Sequence, residues 1–246
     1  MHSISLIVSE LSVGYPRKPL LLSNLSFAAS GGELIALLGR NGTGKSTLLK
    51  ILAGDLNFST GSIRLNGKDL ASFSVRQRAE HIAYSPSRLQ FEPLTRVEEL
   101  VAFGRFAARG WLNPLQPTDR AIIEKALEAV NLVPLRRSYL SEISDGERQR
   151  ASIALALAQT ASLLLLDEPT AYLDYLARQE LVALLQAVAH SQKRLVLYTT
   201  HDLSVAINYA DRFLWIADGR VQEVDARQVG AIARNGSVRQ VEGNSR

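Results

Sequence analysis

The sequence of 246 residues contains no cysteine. That excludes disulfides, thiolate metal sites and a thiol nucleophile, and it agrees with a reducing compartment. No secretory leader is expected either, since the opening MHSISLIVSE has no basic segment and no apolar stretch of the needed length. No run could cross a bilayer: the most apolar windows, Ala151–Ala158 and Leu163–Leu166, fall well short of the roughly 18 to 20 residues required. A cytosolic chain is expected, whose membrane role would come through a partner. Internal repeats and low-complexity tracts are absent. Charge of one sign is scarce as well. With 28 basic against 24 acidic residues, the net +4 gives no reason to expect nucleic acid as a partner. What is present is ordinary for a globular domain: 46% hydrophobic and 21% charged residues. The length suits one large domain or a core with an inserted subdomain.

Short β-branched runs alternate with helical periods, the pattern of an α/β domain with a largely parallel sheet. Strands are expected at Ile4–Val8, Leu25–Ala28, Glu33–Leu38, Ser62–Leu65 and His81–Tyr84. Lys45–Ala53 carries Leu48, Leu49, Ile51 and Leu52 at helical spacing and stops at Gly54, a suitable C-terminal cap. From Pro86 to Ser144 the character changes. Thr95 and Glu98 predict a capped helix to about Phe106, and Asp119–Asn131 a second with one apolar face. No strand is evident there, so a helical insertion into the α/β core is expected. The core resumes with helix Gly146–Gln159, strand Ser162–Asp167, helix Asp174–His190, strand Arg194–Thr199, helix Asp202–Ala210 and strand Arg212–Ala217. The polar tail after Asp225 is expected to fray.

Gly39–Thr47 reads GRNGTGKST, a phosphate-binding loop between a strand and a capped helix. Gly39, Gly42 and Gly44, with Arg40, Asn41 and Thr43 between them, let backbone N–H groups fold around a polyphosphate. Lys45 offers charge to the β- and γ-phosphates, Ser46 offers a hydroxyl to Mg²⁺, and the N-terminus of the helix Lys45–Ala53, with Thr47 in its first turn, adds its dipole. Such spacing arises by chance on the order of once in a hundred chains of this length, and the flanking strand and helix reduce that further. Leu163–Leu166 then delivers Asp167 and Glu168 to the sheet's C-terminal edge. Alone this would read as a surface acidic pair. Beside a phosphate loop, Asp167 suits Mg²⁺ and Glu168 suits the attacking water.

Ile143-Ser144-Asp145-Gly146-Glu147, followed by Arg148-Gln149-Arg150, resembles the signature motif of ABC-transporter nucleotide-binding subunits, usually LSGGQ. Locally it is adequately explained as an N-terminal cap of Ser144 with Glu147; its order between the phosphate loop and LLLLDE carries the likeness. The resemblance covers most of the chain. It implies one domain: a RecA-like P-loop core with a mostly parallel sheet and an N-terminal antiparallel β part (1–86 and 145–246), and an α-helical subdomain (87–144). It implies that Ser144, Asp145, Gly146 and Glu147 meet ATP held by a second copy in a head-to-tail dimer. It further implies that Tyr15 stacks on adenine, that Asp174 belongs to the dimer-crossing loop, and that His201 contacts the γ-phosphate. Lys45, Glu168 and His201 would then be the catalytic set, Ser46 and Asp167 the metal ligands, with ATP and Mg²⁺ bound. Permease subunits at the cytoplasmic face of a membrane, and indirectly a substrate-binding protein, are the implied partners.

The likeness is greatest to ATPases of iron–siderophore, haem or cobalamin importers. An ATPase for other cargo or for export, a soluble non-transport ABC ATPase and a regulatory nucleotide binder remain open alternatives. Two positions depart from the family pattern. Ser87 stands where a glutamine is usual, with Gln90 nearby, and Asp145 replaces a glycine. An added carboxylate near phosphates should repel them unless Arg148 neutralises it. Neither change removes Lys45, Asp167, Glu168 or His201, so an active ATPase is expected.

Overall fold

The computed structural model describes residues 4–14, 20–110 and 113–235. In chain order its elements are β1 (Ser5–Gly14), β2 (Leu20–Ser30), β3 (Leu34–Gly39), α1 (Lys45–Ala53), β4 (Thr60–Leu65), β5 (Lys68–Asp69), α2 (Val75–His81) and β6 (Ile82–Ser85). There follow α3 (Val97–Arg109), α4 (Pro117–Ala129), α5 (Asp145–Ala158), β7 (Leu163–Leu166), α6 (Tyr175–Gln192) and β8 (Leu195–Thr199). The last are α7 (Leu203–Tyr209), β9 (Arg212–Ala217), β10 (Arg220–Val224) and α8 (Ala226–Asn235).

One sheet is antiparallel, in the order β2-β1-β4-β5. The other runs β10-β9-β3-β8-β7-β6, parallel except for its β10 edge. Every residue of β3, β7 and β8 is buried, because both faces of this sheet are covered, which is why these strands read as unbroken apolar runs. The pleat then divides them. Ile35, Leu37, Leu163, Leu165, Leu195 and Leu197 join α1 and the antiparallel sheet in one core. Their neighbours Leu34, Ala36, Leu38, Leu164, Leu166, Val196 and Tyr198 join the helices of the opposite face in another. Each parallel strand therefore ends on the same edge, where loops between two rigid cores can be held still.

Helices α3 and α4 lie between β6 and α5 in the chain. Val97, Leu100 and Val101 of α3 and Ile123 and Leu127 of α4 share the core with Ala151, Ala154 and Ala158 of α5. The buried pair Arg105–Asp119, 3.1 Å apart, ties α3 to α4. The same guanidinium donates to Ala158 O at 2.6 Å and to Thr160 Oγ1 at 3.0 Å.

Three sequence expectations need correction. The cap of α3 is Arg96 with Glu99, whose Oε2 accepts from Arg96 N at 2.8 Å; Glu98 instead pairs with Arg136 at 3.0 Å. The chain does not fray directly after Asp225. Asp225 and Gln228 exchange hydrogen bonds of 2.8 and 2.7 Å at the start of α8, and Val229 and Ile232 are buried in the core. Strand β10 was not anticipated. It pairs with β9 across Asp218-Gly219, both at positive φ, the two-residue turn that favours Asp-Gly.

Candidate active site

The loop after β3 is shaped by its glycines. A Cβ on Gly39 would lie 2.6 Å from Ile216 O, and Gly44 has φ +103°, a backbone that L side chains rarely adopt. Gly44 is the N-cap of α1, so the helix begins at Lys45. Thr43 Oγ1 donates to Arg40 O at 2.9 Å across the loop. Lys45 is buried, and its Nζ donates to Gly39 O and Arg40 O, both at 2.9 Å. Burial lowers the Lys45 pKa from its ordinary value, and the nearby Glu168 and Asp167 charges oppose that shift.

The end of β7 supplies the acids. Asp167 is buried, and its Oδ1 accepts from Ser46 Oγ at 3.0 Å and from Thr199 Oγ1 at 2.8 Å. The next residue, Glu168, turns away: its φ is +48°, and its Oε1 lies 2.7 Å from His201 Nε2. Both of these side chains are partly exposed. Lys45, Ser46, Asp167, Glu168 and His201 thus converge from the ends of β3, β7 and β8. Thr199 belongs with them and was missed in the sequence. The parallel register pairs Leu166 with Tyr198, so the next residues on each strand, Asp167 and Thr199, fall side by side.

Ser144, Asp145, Gly146 and Glu147 form a separate group at the start of α5. Ser144 N and Oγ both donate to Glu147 Oε2 at 2.8 Å, and Glu147 N donates back to Ser144 Oγ at 3.3 Å. The backbone hydrogen bond from Ser144, followed by that from its hydroxyl, holds the Glu147 pKa below the usual glutamate value. Asp145 is ion-paired with Arg148, which also donates to Leu140 O and Ile143 O. The cation required to neutralise Asp145 is therefore in place. Among the described residues, no hydrogen bond or ion pair joins this group to the loop Gly39–Thr47. Asp174 caps α6 by accepting from Ala177 N at 2.9 Å. Ser87 and Gln90 line a cleft with Asp145, Gln149 and Tyr172, on the α5 side. Tyr15 lies outside the described residues.

The sequence profile described as "ABC transporter" matches residues 22–171. The chain belongs to the ABC transporter family. It is 35% identical over 217 residues to the iron(3+)-hydroxamate import ATP-binding protein FhuC of Bacillus subtilis, spanning 88% of this chain and 80% of that one. It is 36% identical over 211 residues to the hemin import ATP-binding protein HmuV of Methylobacillus flagellatus, spanning 83% and 78%. Its fold is that of the ATP-binding cassette MJ0796, solved as a dimer in a post-hydrolysis state with ADP and Pi. That structure superposes with a TM-score of 0.81 at 23% identity, over 90% of this chain and 99% of that one. As an ABC ATP-binding subunit the chain binds nucleotide, and its ATPase activity powers a membrane transporter. No helix among the described residues is long and apolar enough to cross a membrane.

Proposed function

We propose that this ABC ATPase drives import of an iron–siderophore complex, haem or cobalamin, and that it works as a head-to-tail pair with ATP between the two copies. The names of FhuC and HmuV support the import reading, and the dimeric state of MJ0796 supports the pairing. One observation carries the mechanism. Ser46, Asp167, Thr199, Glu168 and His201 are joined by hydrogen bonds of 2.7 to 3.0 Å, beside the buried Lys45, while Ser144–Glu147 forms a cap of its own on α5. Two half-sites that do not meet within one chain are what a second copy would join.

In this reading the loop amides of Gly39–Thr47 and the Lys45 ammonium bind the ATP phosphates, because both present positive charge to them. Glu168 accepts a proton from the attacking water, and His201 holds that carboxylate while reaching the γ-phosphate. Ser144 and Gly146 of the other copy offer donors to the same phosphate, beside Asp145 and Glu147, and Asp174 lies in the loop that crosses between copies. Ser46 and Asp167 present only oxygen donors, the class that Mg²⁺ takes together with substrate phosphates, so the residues fit that ion. Bound there, Mg²⁺ supplies neutralisation of the phosphate charge. Residues 1–86 and 145–246 form the catalytic core, and residues 87–144 the helical part that passes its motion to permease subunits at the cytoplasmic face of the membrane. A substrate-binding protein would deliver the cargo from the other side.

Replacing Glu168 with glutamine tests the pairing. The variant should bind ATP and elute as a dimer on size exclusion; a monomer with ATP bound would sink the scheme. Cargo is tested in cells carrying Lys45→Ala in place of the original chain. Loss of uptake of labelled ferric siderophore, haem or cobalamin is expected, and unchanged uptake of all three would remove the assignment.

A further inference from the structure

Thr199, at the end of β8, is fully buried. Its Oγ1 donates to Asp167 Oδ1 at 2.8 Å and accepts from the backbone N–H of Glu168 at 2.7 Å. A hydroxyl carries one proton, so the direction of this relay is fixed: amide to hydroxyl to carboxylate. Ser46 Oγ donates to the same oxygen at 3.0 Å.

We propose that Thr199 is a positioning residue for ATP hydrolysis, holding the Asp167 carboxylate and the Glu168 backbone in one fixed relation. This rests on the roles proposed above for Asp167 and Glu168. Those two residues are adjacent in the chain but serve different tasks, so their carboxylates must point in different directions. The change of direction is made at Glu168, whose φ of +48° lies in the left-handed region that a residue with a side chain adopts only under strain. Such a conformation persists only where its surroundings over-determine it. Here they do. Thr199 holds the N–H of Glu168, Ala171 N donates to its carbonyl at 3.0 Å, and His201 holds its side chain at 2.7 Å. The one hydroxyl therefore sets both the direction of Asp167 Oδ1 and the starting point of the Glu168 side chain. A threonine that merely satisfied a buried amide would affect stability without altering turnover or the dependence on magnesium.

The test is Thr199→Val, which keeps the shape and removes the hydrogen bonds, beside Thr199→Ser, which keeps the hydroxyl. In the full chain, Thr199→Val should lower kcat at least tenfold and raise the Mg²⁺ concentration for half-maximal activity severalfold. Affinity for a fluorescent ATP analogue should stay within twofold, and Thr199→Ser should recover kcat to within threefold. A kcat for Thr199→Val within twofold of the original, or equal losses in the valine and serine variants, would overturn the proposal. If the valine variant does not fold, the Thr199→Ala and Thr199→Ser pair carries the same test, since both lack the methyl and only one has the hydroxyl. Full hydrolysis by Glu168→Gln would instead defeat the underlying roles, whatever Thr199 does.

Discussion

His201 Nε2 lies 2.7 Å from Glu168 Oε1, although one residue follows β8 and the other follows β7. The contact depends on the left-handed turn at Glu168 and on the pairing of the two strands. It places an imidazole against the carboxylate proposed to take a proton from water. It links two partly exposed side chains, so it adds little to stability and acts through orientation.

Substitution of His201 by alanine should therefore separate rate from folding. Turnover of ATP should drop on the order of 100-fold or more, the range for losing an oriented acid–base group. Stability should change by less than about 1 kcal/mol, as for an exposed pair. A steady-state assay and a thermal melt on one preparation decide it: a preserved rate, or a large fall in Tm with the rate, would count against the assignment.

Asp145 offers a second separation. It pairs with Arg148, and its side chain is 65% exposed, so Asp145→Asn should cost less than about 1 kcal/mol of stability. Arg148 keeps its bonds to Leu140 O and Ile143 O and stays in place. If the proposed dimer brings this carboxylate near the other copy's phosphates, removing the charge should strengthen ATP-induced dimerisation severalfold at low salt, and the gain should shrink as salt screens it. Equal dimerisation at every ionic strength would show that Asp145 never meets the nucleotide.

How far the sequence reaches depends on whether a feature is local. Helix α1 was legible because Lys45–Ala53 lies between two glycines that cap it. The start of α3 slipped by one residue because Glu98 and Glu99 are both plausible capping partners. Arg136, 38 positions further on, claims Glu98, a tertiary contact that no local pattern shows. Helix α8 hid in a polar tail, since Val229 and Ile232 are enough to anchor it. Strand β10 hid because most of its residues are exposed, although Asp218-Gly219 marks its turn. In the site, Lys45, Ser46, Asp167 and Glu168 were legible from motif spacing. Thr199 was not, because its place beside Asp167 exists only through the register of β7 with β8.

The junction of α3, α4 and α5 is expected to fail if Asp119 is removed. Its side chain is 2% exposed against 9% for Arg105, and it also accepts from Gln116 N at 2.8 Å at the start of α4. Asp119→Ala leaves the Arg105 cation buried without that carboxylate, a change that costs about 3 to 5 kcal/mol. Denaturant unfolding measures it. A loss under about 1 kcal/mol would mean that Ala158 O and Thr160 Oγ1 satisfy Arg105 unaided.

Acid should unfold the protein through carboxyls whose pKa values the fold depresses. Glu147 is lowered first by the backbone hydrogen bond from Ser144, and Glu223 first by its hydrogen bonds with Arg212. At Asp202 burial pushes the carboxyl up, but hydrogen bonds from Ser204, Val205 and Arg178 outweigh it. Each folded pKa lies below the unfolded one, so between the two values the unfolded chain binds more protons. The stability these groups contribute is complete above the ordinary values of 4.5 for glutamate and 3.8 for aspartate. It is lost as pH falls through the folded values. On this account Tm should stay nearly level from about pH 7 to about pH 5 and fall progressively below pH 4.5 as these carboxyls protonate. Glu223→Gln should flatten part of that descent, because one depressed carboxyl is gone, while leaving ATP turnover unchanged at neutral pH. A variant whose melting profile tracked the original through the whole acid range would remove Glu223 from the account and leave Glu147 and Asp202 to carry it.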